Sequence, residues 1–336
     1  QGVFFALPTQ ATSDGIFPRM MEWARKLDTK EHTINLSHGK AQFNEMFQAL
    51  RSFEMNTNIG VDEEGGVFVH EWFLGAKKAL LADFVVGTID QLLLAALRQK
   101  HLMLRHLGLA GKVVVIDECH AYDAYMSQYL NRALNWLGAY GVPVIVLSAT
   151  LPADKRKSVV EAYLGRDFLP SQQTDPLAGL PLAEEETPAW IQNCEYPLIT
   201  YTDGTEIIQR TVPKEDRDRT VTVDQVVETD LVSLLKGKLS EGGCAGVLVN
   251  TVRRAQEISR TLRETFGEDV VRLLHSRFLA PDRAVKEREL LSELGKPGGK
   301  TLRPSFRIVV GTQVLEQSLD IDFDIMVTEL CPMDLL

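Results

Sequence analysis

The sequence predicts an α/β protein of two lobes in tandem, each built on a mostly parallel sheet. Two observations carry this. Short apolar runs without alternation recur between helix-patterned stretches, and that pattern occurs twice, with an acidic, proline-rich stretch between. Strands buried on both faces of a parallel sheet read as continuous apolar runs, and the intervening helices supply the crossovers such a sheet needs. A length of 336 residues allows two domains.

The first lobe is expected over residues 1–165. Strands fall at 3–7, 84–86, 112–116 and 144–147, with helical periodicity at 16–27, 89–98 and 125–137. Residues 166–194 form the connector, marked by Pro170, Pro176, Pro181, Pro188 and the run Glu184–Glu186. The second lobe is expected over 195–336. Thr/Val alternation at 196–201 and 219–223 predicts strands, followed by helices at 226–238, 253–266 and 282–294. Strands of this lobe fall at 246–249, 270–274, 307–310 and 324–327. No repeat of fixed period and no low-complexity tract is found.

Composition narrows the function classes. Hydrophobic content of 45% and charged content of 24% are those of a globular protein in water. No run reaches the eighteen apolar residues of a membrane span. The start, Gln1-Gly2-Val3-Phe4-Phe5, reads as a strand entered midway, without a basic leader. A cytoplasmic location with no membrane partner is expected. Cys119, Cys194, Cys244 and Cys331 lie far apart without a C-x-x-C pair, as expected of reduced thiols. The net charge of −10 is concentrated in residues 166–230, with 5 Lys/Arg against 14 Asp/Glu, leaving both lobes nearly neutral. A neutral lobe still binds a phosphate backbone through amides, hydroxyls and a few cations.

Three motifs carry chemistry. Val113–Ile116 runs into Asp117-Glu118-Cys119-His120. Two adjacent carboxylates after an apolar strand sit at the carboxyl edge of a parallel sheet, where α/β proteins bind ligands. There Asp117 can hold Mg²⁺, directly or through water, and Glu118 can deprotonate an attacking water. A solvated helix start with acidic residues toward its positive end is the plainer reading. The second motif, Val144–Leu147 followed by Ser148-Ala149-Thr150, puts small hydroxyls where they can bond to the carboxylate pair; by itself it signals only a helix cap. The third is Ile308–Val310 with Gly311-Thr312, whose turn offers amides and a hydroxyl to a phosphate, and Asp320 farther on. Strand–turn–helix packing would also account for it.

Together and in this order the motifs resemble the superfamily-2 helicases. Val3–Thr12, Leu36–Gly39, Glu71–Leu81, Val86–Leu93 and the Asp-Glu-Cys-His form narrow the resemblance to the helicase–nuclease of type I CRISPR systems. It runs from residue 1 to 336 and is weakest over 166–225. It implies two RecA-like lobes, ATP and Mg²⁺ as cofactors, and 3′→5′ movement on single-stranded DNA beside a CRISPR RNA-guided surveillance complex. It also implies a His-Asp nuclease domain elsewhere in the protein. Residue by residue, Thr9, Gln10 and Thr88 match contacts to the DNA backbone, and Asp117 and Glu118 the metal ligand and base. His120 matches the residue that reports the nucleotide state, and Ser148 and Thr150 the coupling motif. Asn250, Thr251, His275 and Ser276 match strand contacts of the second lobe. Gly311, Thr312 and Asp320 match the motif joining DNA grip to nucleotide.

The sequence departs from the family in three ways. No Gly-x-x-x-x-Gly-Lys-Ser/Thr loop is present; Gly299-Lys300-Thr301 is a decoy, with Leu294 where the first glycine belongs. The resemblance puts that loop before Gln1 and an arginine-finger motif after Leu336. None of the seven histidines is followed by Asp. The chain by itself is therefore expected to hydrolyse no ATP at a useful rate. Alternatives are another superfamily-2 DNA or RNA helicase, or a nucleic-acid-binding or assembly module without ATPase activity. Among smaller candidates, Cys119-His120 is a poor nucleophile pair, because sequence neighbours rarely act together. Trp72 with Lys77 and Lys78 reads equally as a base-stacking site or as a core Trp with solvated lysines. Lys155–Lys157 reads first as a solvated helix face, with contact to a phosphate backbone as the alternative, and Arg253-Arg254 reads as surface.

Overall fold

The computed structural model describes residues 2–27, 31–57, 67–75, 77–166, 188–213, 220–295, 303–317, 319 and 321–330. The chain divides into two compact units, residues 1–219 and 220–336.

In the first unit, strands β1 (Gly2–Leu7), β2 (His32–Ser37), β3 (Val67–Phe68), β4 (Phe84–Thr88), β5 (Lys112–Ile116) and β6 (Val144–Val146) form one sheet in the order β3-β2-β4-β1-β5-β6. Every pairing is parallel. Helices α1 (Gln10–Arg25), α2 (Glu45–Thr57), α3 (Ile89–Leu93), α4 (Leu102–Ala110), α5 (Ala124–Ala139) and α6 (Ala153–Tyr163) make the connections. Successive residues of a strand face opposite sides, and both sides are covered. Phe4, Val85 and Val114 enter a core with Leu92, Leu109, Leu130 and Leu134. Ile34, Phe84 and Val86 enter another with Phe17, Met20 and Met21. This double burial is why the strands read as continuous apolar runs.

The unit continues with α7 (Ala189–Gln192) and an antiparallel hairpin, β7 (Leu198–Asp203) and β8 (Glu206–Thr211). The sequence reading assigned residues from 195 onward to the second lobe; the hairpin instead belongs to the first unit. Gln209 donates to the Trp190 carbonyl at 2.8 Å, and Arg166 donates to that of Thr205 at 2.9 Å. Arg156 of α6 donates to the carbonyls of Trp190, Ile191 and Asn193. A strand expected over 219–223 is absent at residues 220–223: Val221 and Val223 are 79% and 89% exposed, so the alternating pattern buries no face. Most of the expected connector, 167–187, lies outside the described residues.

The second unit holds α8 (Leu231–Lys238), β9 (Gly243–Leu248), α9 (Val252–Phe266), β10 (Val271–Leu274), α10 (Ala280–Leu294), β11 (Phe306–Gly311), α11 (Val314–Gln317) and β12 (Ile325–Thr328). Its parallel sheet runs β10-β11-β9-β12. Val247, Val271, Ile308 and Val310 pack against Leu235, Ala255 and Leu262 on one face; Cys244, Leu274 and Val309 meet Leu290 and Leu294 on the other. Among the described residues no helix is long and apolar enough to cross a membrane.

Candidate functional site

Parallel register collects the motifs of each sheet at one edge. In the first unit Leu7 pairs with Thr88, Ala6 with Ile116, and Ile116 with Val146. Residues at or just after the ends of β1, β4, β5 and β6 therefore share the carboxyl edge, and they include Thr9, Gln10, Thr88, Asp117, Glu118, His120, Ser148 and Thr150.

Around the carboxylates the chain folds tightly. The Asp117 amide donates to the Ala6 carbonyl at 3.0 Å, anchoring the turn to the neighbouring strand. Glu118 then takes a left-handed conformation (φ 52°, ψ 45°), which non-glycine residues rarely adopt. Its amide donates to Asp117 Oδ1 at 3.0 Å. Such an outlier persists only where the surroundings impose it, and such outliers cluster at working sites. His120 Nδ1 lies 3.2 Å from Glu118 Oε2 and 3.2 Å from Ser148 Oγ. The His120 amide donates to the same hydroxyl at 3.2 Å, while Ser148 Oγ donates to the Thr150 carbonyl at 2.6 Å. With that hydroxyl proton engaged, Ser148 Oγ is an acceptor, so Nδ1 faces two acceptors and carries the imidazole proton.

Two neighbours hold this turn that sequence reasoning passed over. Tyr122 donates to the Asp117 carbonyl at 2.7 Å; burial, then the neighbouring Cys119 and the two carboxylates, push its pKa up, so it stays a phenol. Lys155 donates to the carbonyls of Tyr122 and His120 at 2.8 and 3.4 Å, and Arg156 is engaged as described above. The expected solvated face at Lys155–Lys157 is thus wrong for two of its three cations. A cation seven residues after Ser148 carried no periodic signal for that role. Burial also pushes the Cys119 thiol up, away from the thiolate a nucleophile needs.

Elsewhere on this edge, Thr9 caps α1, its Oγ1 accepting from the Thr12 amide at 3.1 Å. Gln10 opens α1 with its side-chain amide beside Gly39. The buried Thr88 starts α3 without a side-chain cap bond. Away from these residues, Trp72 is 53% exposed with Lys78 Nζ 4.5 Å from its ring centre, which removes the core reading of that pair.

In the second unit Leu248, Gly311 and Leu274 share a level, bringing Asn250, Thr251, His275, Ser276, Gly311 and Thr312 to its carboxyl edge. Thr251 caps α9. Asn250 is engaged internally: its amide donates to Glu329 Oε2 at 2.7 Å and its side chain to the Leu330 carbonyl at 2.9 Å. Arg254 pairs with Glu329, and with Glu228 at 2.8 Å, so it is not the simple surface cation expected. His275, 4% exposed, stacks on Phe278 with centroids 4.2 Å apart. Burial, reinforced by Arg277 and Lys286, lowers its pKa and keeps it neutral. Asp320 lies outside the described residues. Glu329 could have been found: it follows an apolar strand as Asp117 does.

Among the described residues no group of three His, Cys, Asp or Glu could enclose a metal. Mg²⁺ needs no such cage, since it keeps several waters and takes one or two carboxylates beside phosphate oxygens. Asp117 fits, with Oδ2 unengaged among the described residues.

Comparison with known proteins adds an independent line. Residues 14–159 match the DEAD/DEAH box helicase family model, and 241–336 match that of the CRISPR-associated nuclease/helicase Cas3, C-terminal. A CRISPR-associated nuclease/helicase Cas3 of Streptococcus thermophilus is 48% identical over 339 residues, covering 100% of this chain and 35% of the relative. The Cas3 endonuclease/helicase of Thermus thermophilus is 36% identical over 100% of this chain and 38% of its own length. The chain thus spans little more than a third of these relatives. Among solved structures, T. fusca Cas3 with ATP matches at a TM-score of 0.77 and 34% identity, covering 99% of this chain and 37% of that one. A chain of a CRISPR RNA-guided surveillance complex in a pre-nicking state matches at 0.61 and 29% identity, covering 100% and 38%.

Proposed function

The chain belongs to the Cas3 nuclease/helicase family, and from that premise we propose that it is the motor of an ATP-dependent, 3′→5′ single-stranded-DNA translocase in CRISPR interference. The full-length protein acts in the cytoplasm beside an RNA-guided surveillance complex, with its nuclease in another domain. The observation that carries this reading is the turn at Asp117–His120, where a strained carboxylate, an imidazole and the Ser148 hydroxyl converge at one sheet edge.

Each residue has a physical task. Asp117 would hold Mg²⁺, which when bound neutralises charge on the phosphates of ATP. Glu118 accepts the proton of the attacking water; its half-exposed carboxylate stays reachable from solvent. His120 and Ser148 connect that carboxylate to the Ser148–Thr150 turn, so a change at Glu118 is felt at the end of β6. Thr9, Gln10, Thr88, Thr251 and Thr312 offer hydroxyls and amides to the backbone of a single strand. Such contacts hold a strand without reading its sequence, as a translocase requires.

The test is Asp117→Ala in the full-length protein. ATP-dependent unwinding disappears while single-strand binding stays largely intact. Normal unwinding by that variant would sink the assignment.

A further inference from the structure

Glu329 follows β12 as Asp117 follows β5, yet its carboxylate is fully engaged. One oxygen accepts from the Asn250 amide at 2.7 Å, and the other is paired with Arg254 Nε. The Glu329 amide donates to Leu248 at 3.1 Å, fixing the residue at the end of β9. The next carbonyl, of Leu330, accepts from the Asn250 side chain at 2.9 Å. Arg254 in turn reaches Glu228, just before α8, at 2.8 Å. The Asn250–Thr251 turn and the first turn of α9 are thereby held from two sides.

We propose that Glu329 is a positioning residue for the strand grip of the second lobe. It acts through Asn250 and Arg254, and this rests on the DNA-motor reading above. With its amide and side chain both engaged, Asn250 is a brace and not itself a hand on the strand. What the brace presents is the start of α9: the Thr251 cap, the free amides of the first helical turn and the remaining guanidinium N–H groups of Arg254. Helix starts favour anions, and a guanidinium fixed by carboxylates keeps its outward donors in one direction. The ligand class is the phosphodiester backbone of a single strand. On this proposal Asn250 braces and Arg254 faces the strand, where the sequence alone suggests a surface Arg254 and a contact at Asn250.

The experiment uses the full-length protein, ATP hydrolysis and an oligo-dT strand as probe. Glu329→Ala should raise the strand concentration for half-maximal stimulation about tenfold, the loss of a charge-assisted hydrogen bond, with kcat nearly unchanged. Glu329→Gln, which still accepts from Asn250 but does not pair with Arg254, should fall between. Arg254→Ala combined with Glu329→Ala should cost less than the two single effects added together, since part of the carboxylate's action passes through the guanidinium and part through Asn250. A fall in kcat at unchanged strand dependence overturns the proposal, as does a loss of thermal stability with strand dependence unmoved. A wild-type protein whose hydrolysis ignores single strands would remove the motor reading itself, an outcome visible before any variant is made.

Discussion

The two lobes repeat one plan with different residues at the decisive point. Numbered within each lobe, β1, β2, β4 and β5 take the same sheet order as β9, β10, β11 and β12. Thr9 caps α1 and Thr251 caps α9. Gly87-Thr88 ends β4, and Gly311 ends β11 with Thr312 directly after it. His38 follows β2 and bonds Asp14 of α1 at 3.2 Å; His275 follows β10 and faces Gln256 of α9 at 3.5 Å. The plan diverges at the acid after the fourth of these strands. Asp117 accepts one bond, from the next residue's amide, and Glu118 stays half exposed, whereas Glu329 is engaged on both oxygens. A carboxylate that keeps one oxygen unengaged is available for chemistry; one saturated on both oxygens by its own chain is part of the frame.

The amino edges diverge too, and pH separates them. At the start of β5 the buried Lys112 donates to the carbonyls of Leu80 and Gly108 at 2.9 and 2.7 Å. Burial, partly offset by Asp83, lowers its pKa to about 8. Just before β12 stands Asp324 instead, its carboxylate held below the usual range chiefly by the Cys244 amide, with help from Arg303. For the lysine, the native state releases its proton near pH 8 and the unfolded chain only near ~10.4. Between those values the unfolded state binds more protons, so stability rises with pH. Relative to Lys112→Met, the first lobe should gain on the order of 3 kcal/mol from pH 8 to 10.5; a flat difference would refute the burial argument. The second lobe should instead lose stability over that range, because burial raises the Cys244 thiol above its unfolded value and the folded state keeps the proton longer. It should also lose stability as pH falls below the ordinary aspartate pKa, through the depressed value of Asp324. Thermal unfolding monitored lobe by lobe separates the two.

The paired glycines test how deep the repeat goes. A Cβ on Gly87 would lie 2.7 Å from the Ser37 carbonyl oxygen, and one on Gly311 would lie 2.6 Å from that of Leu274. Both oxygens belong to the residue before the histidine of the adjacent strand, so both glycines let two strands converge at the edge where the hydroxyls sit. Each substitution to alanine should cost about 2 kcal/mol. Gly311→Ala should be the worse, because Leu315 Cδ1 also lies 2.5 Å from the added atom. Equal unfolding midpoints for wild type and both variants would show that the approach is not needed.

Legibility in the sequence followed burial. Apolar strands such as Val113–Ile116 and Ile308–Val310 announced themselves because both faces of the sheet are covered, and the motifs at their ends could be placed from that alone. The repeat stayed hidden because it lives in one or two residues per strand end, separated by unequal insertions, and so has no period to detect. The hairpin was assigned to the wrong lobe because its ties, Gln209 to Trp190 and Arg166 to Thr205, are polar bonds to backbone, which leave no pattern. Lys155 and Arg254 read as surface for the same reason: their roles lie in carbonyls and carboxylates far along the chain.

The smallest effect gives the sharpest contrast between the acids. Glu118 sits in the left-handed region at φ 52°, where an L side chain costs roughly 1–2 kcal/mol. Glycine removes that cost but adds freedom to the unfolded chain, of about 0.5–1 kcal/mol. Since the carboxylate is 45% exposed, little packing is lost with it. Glu118→Gly should therefore stabilise the first lobe, by up to about 1 kcal/mol, while the full-length protein loses ATP turnover. Strain of this kind is kept only where function requires the side chain. Higher stability with turnover intact would mean that Glu118 is not the base. Lower stability would mean that its contact with His120 belongs to the frame, as the contacts of Glu329 do, and the distinction between the two acids would fall.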